Sequence, residues 1–410
     1  MLYKTVWLTG MNPDLDRLHP YPFEKLAALK ANCQPPADKK HIPLSIGEPQ
    51  HAPPKAVLDK LSQSIDSVAR YPATRGLPEL RQSIAKWATR RFALAENQLD
   101  PDRHILPVAG TREALFAIAQ VIVDNTDQNS RPVVMMPNPF YQIYEGAALL
   151  AGAEPYYYPI LAENHFLPDF DAIPEDIWQR AQLVFVCSPG NPAGSVMNSA
   201  RWRALFAKAD QHQVVIAADE CYSEIYFNDD QPPTGVLQAA VDAGRDDFRN
   251  IIAFHSLSKR SNLPGLRSGF VAGDAQIMQR FLRYRTYQGC TLPIYTQQAS
   301  ITAWADEQHV AENRRYYREK FAQVLDKLAP VMDVRLPDAG FYLWANVGGD
   351  ERDFARKLYE QQNVTVLPGQ FLSRSVGPTD PGVGFVRMAL VAQLDDCLEA
   401  ADRICALLRG

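Results

Sequence analysis

The chain of 410 residues predicts an α/β fold, with a large domain built on a mostly parallel sheet covered by helices and a smaller α+β domain after it. Three observations predict this. From residue 54 to about residue 290, short apolar runs alternate with segments of helical period. Some of these runs, such as Leu183 to Cys187, are apolar at every position, as a strand buried on both faces requires. Beyond Thr291 the alternation stops, and a long polar helix leads into scattered strand-like pieces. The expected division is residues 1–10 as an N-terminal extension, 11–49 as a segment joining the small domain, 50–291 as the large domain and 292–410 as the small C-terminal domain.

Composition narrows the functional classes. The chain is 46% hydrophobic and 22% charged, ordinary for a globular protein. A net charge of -5 argues against a nucleic-acid surface. No apolar run approaches the ~20 residues of a membrane span. Six cysteines are scattered without C-x-x-C or metal-ligand spacing, and Cys187 and Cys221 lie in or beside apolar runs, so a reducing cytoplasm is expected. The first ten residues lack the apolar core of a signal peptide. Met11 opens a more ordinary start, so residues 1–10 are read as a dispensable arm.

The elements follow in order. Phe23 to Ala31 is a short amphipathic piece, and Ile46-Gly47-Glu48-Pro49 reads as a strand end entering a turn. Val57, Leu58, Leu61, Ile65 and Val68 make one apolar helical face. Tyr71-Pro72 precedes a helix opening near Leu80 and Arg81. Strand-like Ile105 to Val108 turns through Gly110-Thr111-Arg112 into the helix Ala114 to Val123. Such a turn exposes unpaired N–H groups at the positive end of a helix dipole and can hold a phosphate.

Val133 to Met136 runs into Pro139-Phe140-Tyr141-Gln142-Ile143-Tyr144, where an aromatic ring can carry a flat heterocycle or simply fill the core. Leu183 to Cys187 ends in the turn Ser188-Pro189-Gly190-Asn191-Pro192. Val214 to Ala218 ends in Asp219, a carboxylate that either caps the next helix or meets a cationic partner. In the C-terminal part, a helix Ala311 to Leu328 precedes strand-like Val331 to Leu336, Phe341 to Trp344, Val364 to Leu367 and Phe385 to Leu390. Arg387 interrupts the last of these, which is costly unless a carboxylate meets it. That carboxylate belongs to a ligand or to an internal salt bridge.

The most informative stretch is Ser256-Leu257-Ser258-Lys259-Arg260-Ser261-Asn262-Leu263-Pro264-Gly265-Leu266-Arg267, between apolar Ile251–Phe254 and Phe270–Ala272. Its hydroxyls and Arg267 can ligate a phosphate. A lysine desolvated in such a pocket has a depressed pKa and an amine able to attack a carbonyl. These features together describe a pyridoxal 5'-phosphate (PLP) site.

Ser-Leu-Ser-Lys followed by Asn-Leu-Pro-Gly-Leu-Arg resembles the cofactor-lysine motif of the class I/II aminotransferases, the fold-type I PLP enzymes. The resemblance spans nearly the whole chain from residue 11. It implies that Lys259 carries the cofactor and acts as general base and acid. Ser256, Ser258, Arg267, Gly110, Thr111 and Arg112 would surround the phosphate, and Tyr141 would stack on the ring. Asn191 and Tyr222 would bind the phenolic oxygen and Asp219 the ring nitrogen. Gly47 would leave room for substrate, and Arg387, with Asn191, would clamp its α-carboxylate. Tyr71 would reach across a homodimer to the partner's phosphate, or else pack at a helix end. Ala193 replaces the threonine of the family's Asn-Pro-Thr-Gly signature, which removes one hydroxyl.

The expected reaction is ping-pong amino transfer between an amino acid and a keto acid. A carbon–sulfur lyase of the same fold would share the cofactor residues, and a ligand-sensing regulator with an aminotransferase-like body would share the fold. The segments Met11 to Leu26, Ser45 to Pro49 and Ser258 to Asn262 most resemble succinyldiaminopimelate aminotransferases. That resemblance implies N-succinyl-L,L-2,6-diaminopimelate as donor and 2-oxoglutarate as acceptor, in lysine biosynthesis. A second cation should then read a distal carboxylate. Arg260 is the expected one, with Arg17, Lys25 and Arg285 as further candidates.

Overall fold

A computed structural model of the chain describes residues 12–127 and 129–409. The extension 1–10 and Met11 lie outside the described residues. The large body is built on seven strands: β1 (Ile105–Val108), β2 (Val133–Asn138), β3 (Glu154–Pro159), β4 (Ala181–Cys187), β5 (Val215–Asp219), β6 (Ile251–Ser256) and β7 (Gly269–Gly273). Their order across the sheet is β1-β7-β6-β5-β4-β2-β3. All neighbours pair in parallel except at β7, which runs against both β1 and β6.

The fully apolar runs have the physical cause expected of them. Successive side chains of a strand point to opposite faces. Val184, Val186, Ile216, Ala218, Ile251 and Ala253 enter one buried cluster, while Leu183, Phe185, Val215, Ala217, Ile252 and Phe254 enter another. Both faces are therefore dry. The carboxyl ends of β2, β4, β5 and β6 leave the sheet on one side, where open α/β sheets receive ligands. Edge strand β3, with Tyr156, Tyr157 and Tyr158, was not among the expected elements.

The smaller body contains an antiparallel sheet of β8 (Tyr342–Asn346), β9 (Leu367–Pro368) and β10 (Phe385–Ala389), in the order β9-β10-β8. Helices Gln308–Leu328, Glu351–Gln362 and Leu394–Arg409 cover it. The N-terminal segment joins it through Ile42–Pro43, which pairs in parallel with Val364–Thr365, and Leu44 C=O accepts from Ala389 N–H at 2.6 Å.

Three expectations are corrected. Helix Ile294–Ala305 belongs to the large body, because Ala299, Ala303 and Trp304 share a buried cluster with Ile84 and Trp87. The change of packing thus falls between Trp304, in that cluster, and Tyr317, in the cluster of the small body, rather than at residue 291. Val331 to Leu336 forms a single bridge, Asp333 to Asn346, rather than a strand. The segment 54–68 is helical over Lys55–Gln63 and a tighter 3-10 turn over Ile65–Ala69. Of its expected apolar face only Val57 is buried, while Leu58, Ile65 and Val68 are exposed.

Candidate active site

Lys259 sits in a single helical turn, Leu257–Arg260, that opens directly from β6. Ser256 caps the turn, its hydroxyl accepting from Ser258 N–H at 3.1 Å. The Lys259 ammonium donates to Gly47 C=O at 2.5 Å and lies 5.3 Å from the Phe341 ring centre. Burial lowers its pKa to about 8, helped by Arg387 and Arg267 and opposed by Cys221 and Glu48. It lines a cavity of about 480 Å³ between the two bodies. A side chain at Gly47 would displace Tyr342, because a Cβ would stand 2.0 Å from the Tyr342 hydroxyl.

At the end of β5, Asp219 is buried without a Lys or Arg ion pair among the described residues. Its carboxylate accepts from the Tyr144 hydroxyl at 2.7 Å and from Cys221 N–H at 3.3 Å. Burial raises its pKa against the pull of these donors. The N-cap reading of Asp219 is replaced by this arrangement, since no regular helix follows it. Tyr144 stacks on Phe185 at 4.6 Å and 13°, which fixes its hydroxyl on Asp219. Cys221 lines the cavity instead of lying in the core, and its thiol is 3.1 Å from the Thr111 hydroxyl.

The end beside helix Thr111–Ile122 suits a phosphate. Thr111, Ser256, Ser258 and Arg267 line the cavity there. Gly110 has φ +86°, and a Cβ on it would meet the Arg267 guanidinium at 2.1 Å. Arg267, itself at φ +53°, donates to Pro264 C=O at 3.0 Å. The Arg112 side chain turns to the cavity mouth, where its Nε donates to the Tyr141 hydroxyl at 2.6 Å. The Tyr141 ring lines the cavity and crosses Tyr144 at 86°.

The opposite wall comes from the small body. Arg387 on β10 is buried; it donates to Asn191 Oδ1 at 2.9 Å and Ser45 C=O at 2.9 Å, and stands 4.3 Å over the Tyr342 ring. Its Nε is buried without a partner. No carboxylate pairs with it among the described residues, so the internal salt bridge does not form. Arg387 can only donate, so Asn191 turns its oxygen to it and keeps its amide N–H groups free. Tyr222 lies 3.2 Å from the Tyr342 hydroxyl.

Arg260 is corrected. It points out of the cavity, pairs with Glu307 at 2.5 Å, donates to Ala303 C=O at 2.7 Å and lies over Trp304 at 5.0 Å. Arg285 is paired with Glu113 and Arg17 with Asp14, and neither they nor Lys25 line the cavity. Tyr71 is fully exposed, so it is not packed at a helix end. Tyr342, Phe341, Tyr21 and Glu48 also neighbour the site, and Tyr144 donates to its carboxylate, although no motif in the sequence marks them. The one signal for Tyr144 was its place one helical turn after Tyr141.

These residues fit PLP. An unpaired buried carboxylate suits the ring nitrogen, a helix N-terminus with hydroxyls and an unpaired arginine suits the phosphate, and a desolvated lysine suits the aldehyde.

Comparison with known proteins agrees. Residues 39–404 match the family model described as aminotransferase class I and II. An LL-diaminopimelate aminotransferase of Dehalococcoides mccartyi is 32% identical, covering 94% of this chain and 95% of that protein. The crystal structure of an aminotransferase from Neisseria meningitidis is 48% identical, with a TM-score of 0.93, covering 97% of this chain and 100% of that one. A probable N-succinyldiaminopimelate aminotransferase from Thermus thermophilus is 27% identical, with a TM-score of 0.81, covering 94% and 100%. The chain therefore belongs to the class I and II aminotransferases, enzymes of fold type I that use pyridoxal 5'-phosphate.

Proposed function

We propose that the enzyme transfers the amino group of N-succinyl-L,L-2,6-diaminopimelate to 2-oxoglutarate, as a step toward diaminopimelate and lysine. One observation carries this reading. Three arginines line or border the cavity without a carboxylate partner among the described residues: Arg267, Arg387 and Arg112. Phosphate and α-carboxylate account for the first two. Arg112, held by Tyr141 at the mouth, remains for a distal carboxylate. It takes the role first expected of Arg260. The similarity to aminotransferases of LL-diaminopimelate and, as a probable assignment, of N-succinyldiaminopimelate supports the same substrate class.

Bound in this cavity, PLP supplies the electron sink that stabilises negative charge at the substrate Cα. The protein residues do the rest. Arg387 fixes the α-carboxylate, and the Asn191 amide and Tyr222 face the same end. Lys259 Nζ leaves Gly47 C=O and carries the proton to and from the substrate Cα. Asp219 would hold positive charge on the cofactor's ring nitrogen, and Tyr141 and Gly47 leave a slot for a flat group. In the proposed homodimer, Tyr71 meets the partner's phosphate; the exposed face of Leu58, Ile65 and Val68 beside it supports such an interface.

A second reading is free LL-diaminopimelate, whose distal ammonium Glu48 could accept at the cavity wall. An amino-donor screen that includes LL-diaminopimelate tests both, the faster of the two donors deciding between them. The succinyl donor should exceed alanine, aspartate and aromatic amino acids in kcat/KM by at least about tenfold, the worth of the one distal charge-assisted contact at Arg112. Equal rates with aspartate or an aromatic donor would refute the substrate and leave the aminotransferase standing. Pyruvate release from cystathionine without a keto acid would instead indicate the lyase.

A further inference from the structure

The three residues after Lys259 all turn away from the cavity, and each is held from behind. Arg260 is anchored on Glu307 and Ala303. The Ser261 hydroxyl meets His309 Nε2 at 2.9 Å. Asn262, at φ +53°, donates its amide to Asn313 Oδ1 at 3.0 Å. Asn313 in turn points its own amide at the Lys259 carbonyl, 3.5 Å away.

Asn313 does not stand alone. Its Oδ1 also meets His51 Nδ1 at 2.8 Å, and His51 Nε2 meets the Lys320 ammonium at 2.9 Å. Lys320 also donates to Ala392 C=O at 2.5 Å. The direction of this chain is fixed by chemistry. An ammonium has only donors, so His51 Nε2 must accept. His51 then carries its proton on Nδ1 and donates to Asn313 Oδ1. With Oδ1 accepting from both His51 and Asn262, only the amide N–H groups of Asn313 can face the Lys259 carbonyl. A flipped Asn313 would set two acceptors against each other. Burial and the neighbouring ammonium lower the His51 pKa to about 4, which agrees with a neutral ring.

The arrangement is costly. Lys320 is buried and has no carboxylate partner among the described residues. A buried ammonium contributes little to stability that an apolar side chain could not. Asn313 and Lys320 are seven residues apart on one face of helix Gln308–Leu328, while His51 and Ala392 come from separate segments. All four meet behind the lysine.

We propose that Asn313 is a positioning residue for Lys259, and that Lys320 acting through His51 sets its amide. This rests on the reading of Lys259 as the cofactor lysine. Nζ must travel from Gly47 C=O to the reacting atoms and back, and a fixed main-chain carbonyl gives that swing a constant pivot.

The test uses the cofactor-loaded enzyme. Asn313→Leu keeps the volume and removes the amide. Its single-turnover rate with a saturating donor should fall about tenfold or more, with donor KM unchanged within about twofold. The near-visible spectrum of the bound cofactor should change with it. Lys320→Met touches neither Lys259 nor Asn313 and should move the rate and the spectrum in the same direction, by less. It carries the test if Asn313→Leu does not fold. Wild-type rate and spectrum in the folded variants would overturn the proposal. Failure to find the cofactor on Lys259 in the wild-type enzyme would instead remove its premise.

Discussion

Arg387 and Asn191 meet at 2.9 Å across the two bodies of the molecule, Nη1 to Oδ1. One residue ends the turn after β4 and the other interrupts β10, so the contact exists only when the small body is seated on the large one. In the proposed function, this pair would read substrate and cofactor groups together. Arg387→Gln should lower kcat/KM for every amino donor by about thirtyfold or more, because it leaves a buried carboxylate unpaired. Arg387→Lys should recover little, since an ammonium cannot make the forked contact. A loss confined to one donor would place the α-carboxylate elsewhere.

Arg112→Gln separates the two ends of the substrate. Removing a charge-assisted contact at the cavity mouth should cost the succinyl donor about 1.5–3 kcal/mol in transition-state binding. Alanine, which has no distal carboxylate, should react nearly as before. If alanine slows equally, Arg112 serves the cofactor rather than the substrate.

The Lys259 amine should govern cofactor capture in the cofactor-free enzyme. Burial disfavours the ammonium, so the folded pKa, about 8, lies below the usual lysine value, and the proton leaves earlier as pH rises. The rate of PLP capture should climb about tenfold between about pH 7 and about pH 9, following the neutral fraction. The protein should also gain stability with rising pH between about 8 and 10.5, because there the unfolded chain binds more protons. A rate that first rises near the ordinary lysine pKa would contradict this.

Tyr144→Phe keeps the stack on Phe185 and removes only the hydroxyl that donates to Asp219. The cofactor-free protein should lose about 1–3 kcal/mol of stability near neutral pH, the cost of depriving a buried carboxylate of a partner. Unfolding in urea reads this. An unchanged midpoint would mean that water replaces the hydroxyl freely.

Much of the fold was legible because burial on both faces leaves an uninterrupted apolar run. Asp219 and Arg387 stood out because each ends or interrupts such a run, and Asn191 and Lys259 because each lies in the polar stretch that follows one. Arg260 was misread because neighbours in a helical turn point about 100° apart, so adjacency to Lys259 said nothing of direction. Tyr144 was hidden because a core aromatic and one that donates to a buried carboxylate have the same sequence pattern. The face with Leu58, Ile65 and Val68 has the period of a buried helix, and period alone does not tell a buried face from an exposed one.

The most direct measurement concerns Lys259. Borohydride reduction makes a lysine–cofactor link permanent, and peptide mass mapping then locates it. The cofactor mass should appear on the peptide containing Lys259, and Lys259→Ala should lose both that label and the near-visible absorbance. A label on another lysine, or an absorbance kept by Lys259→Ala, would contradict the account.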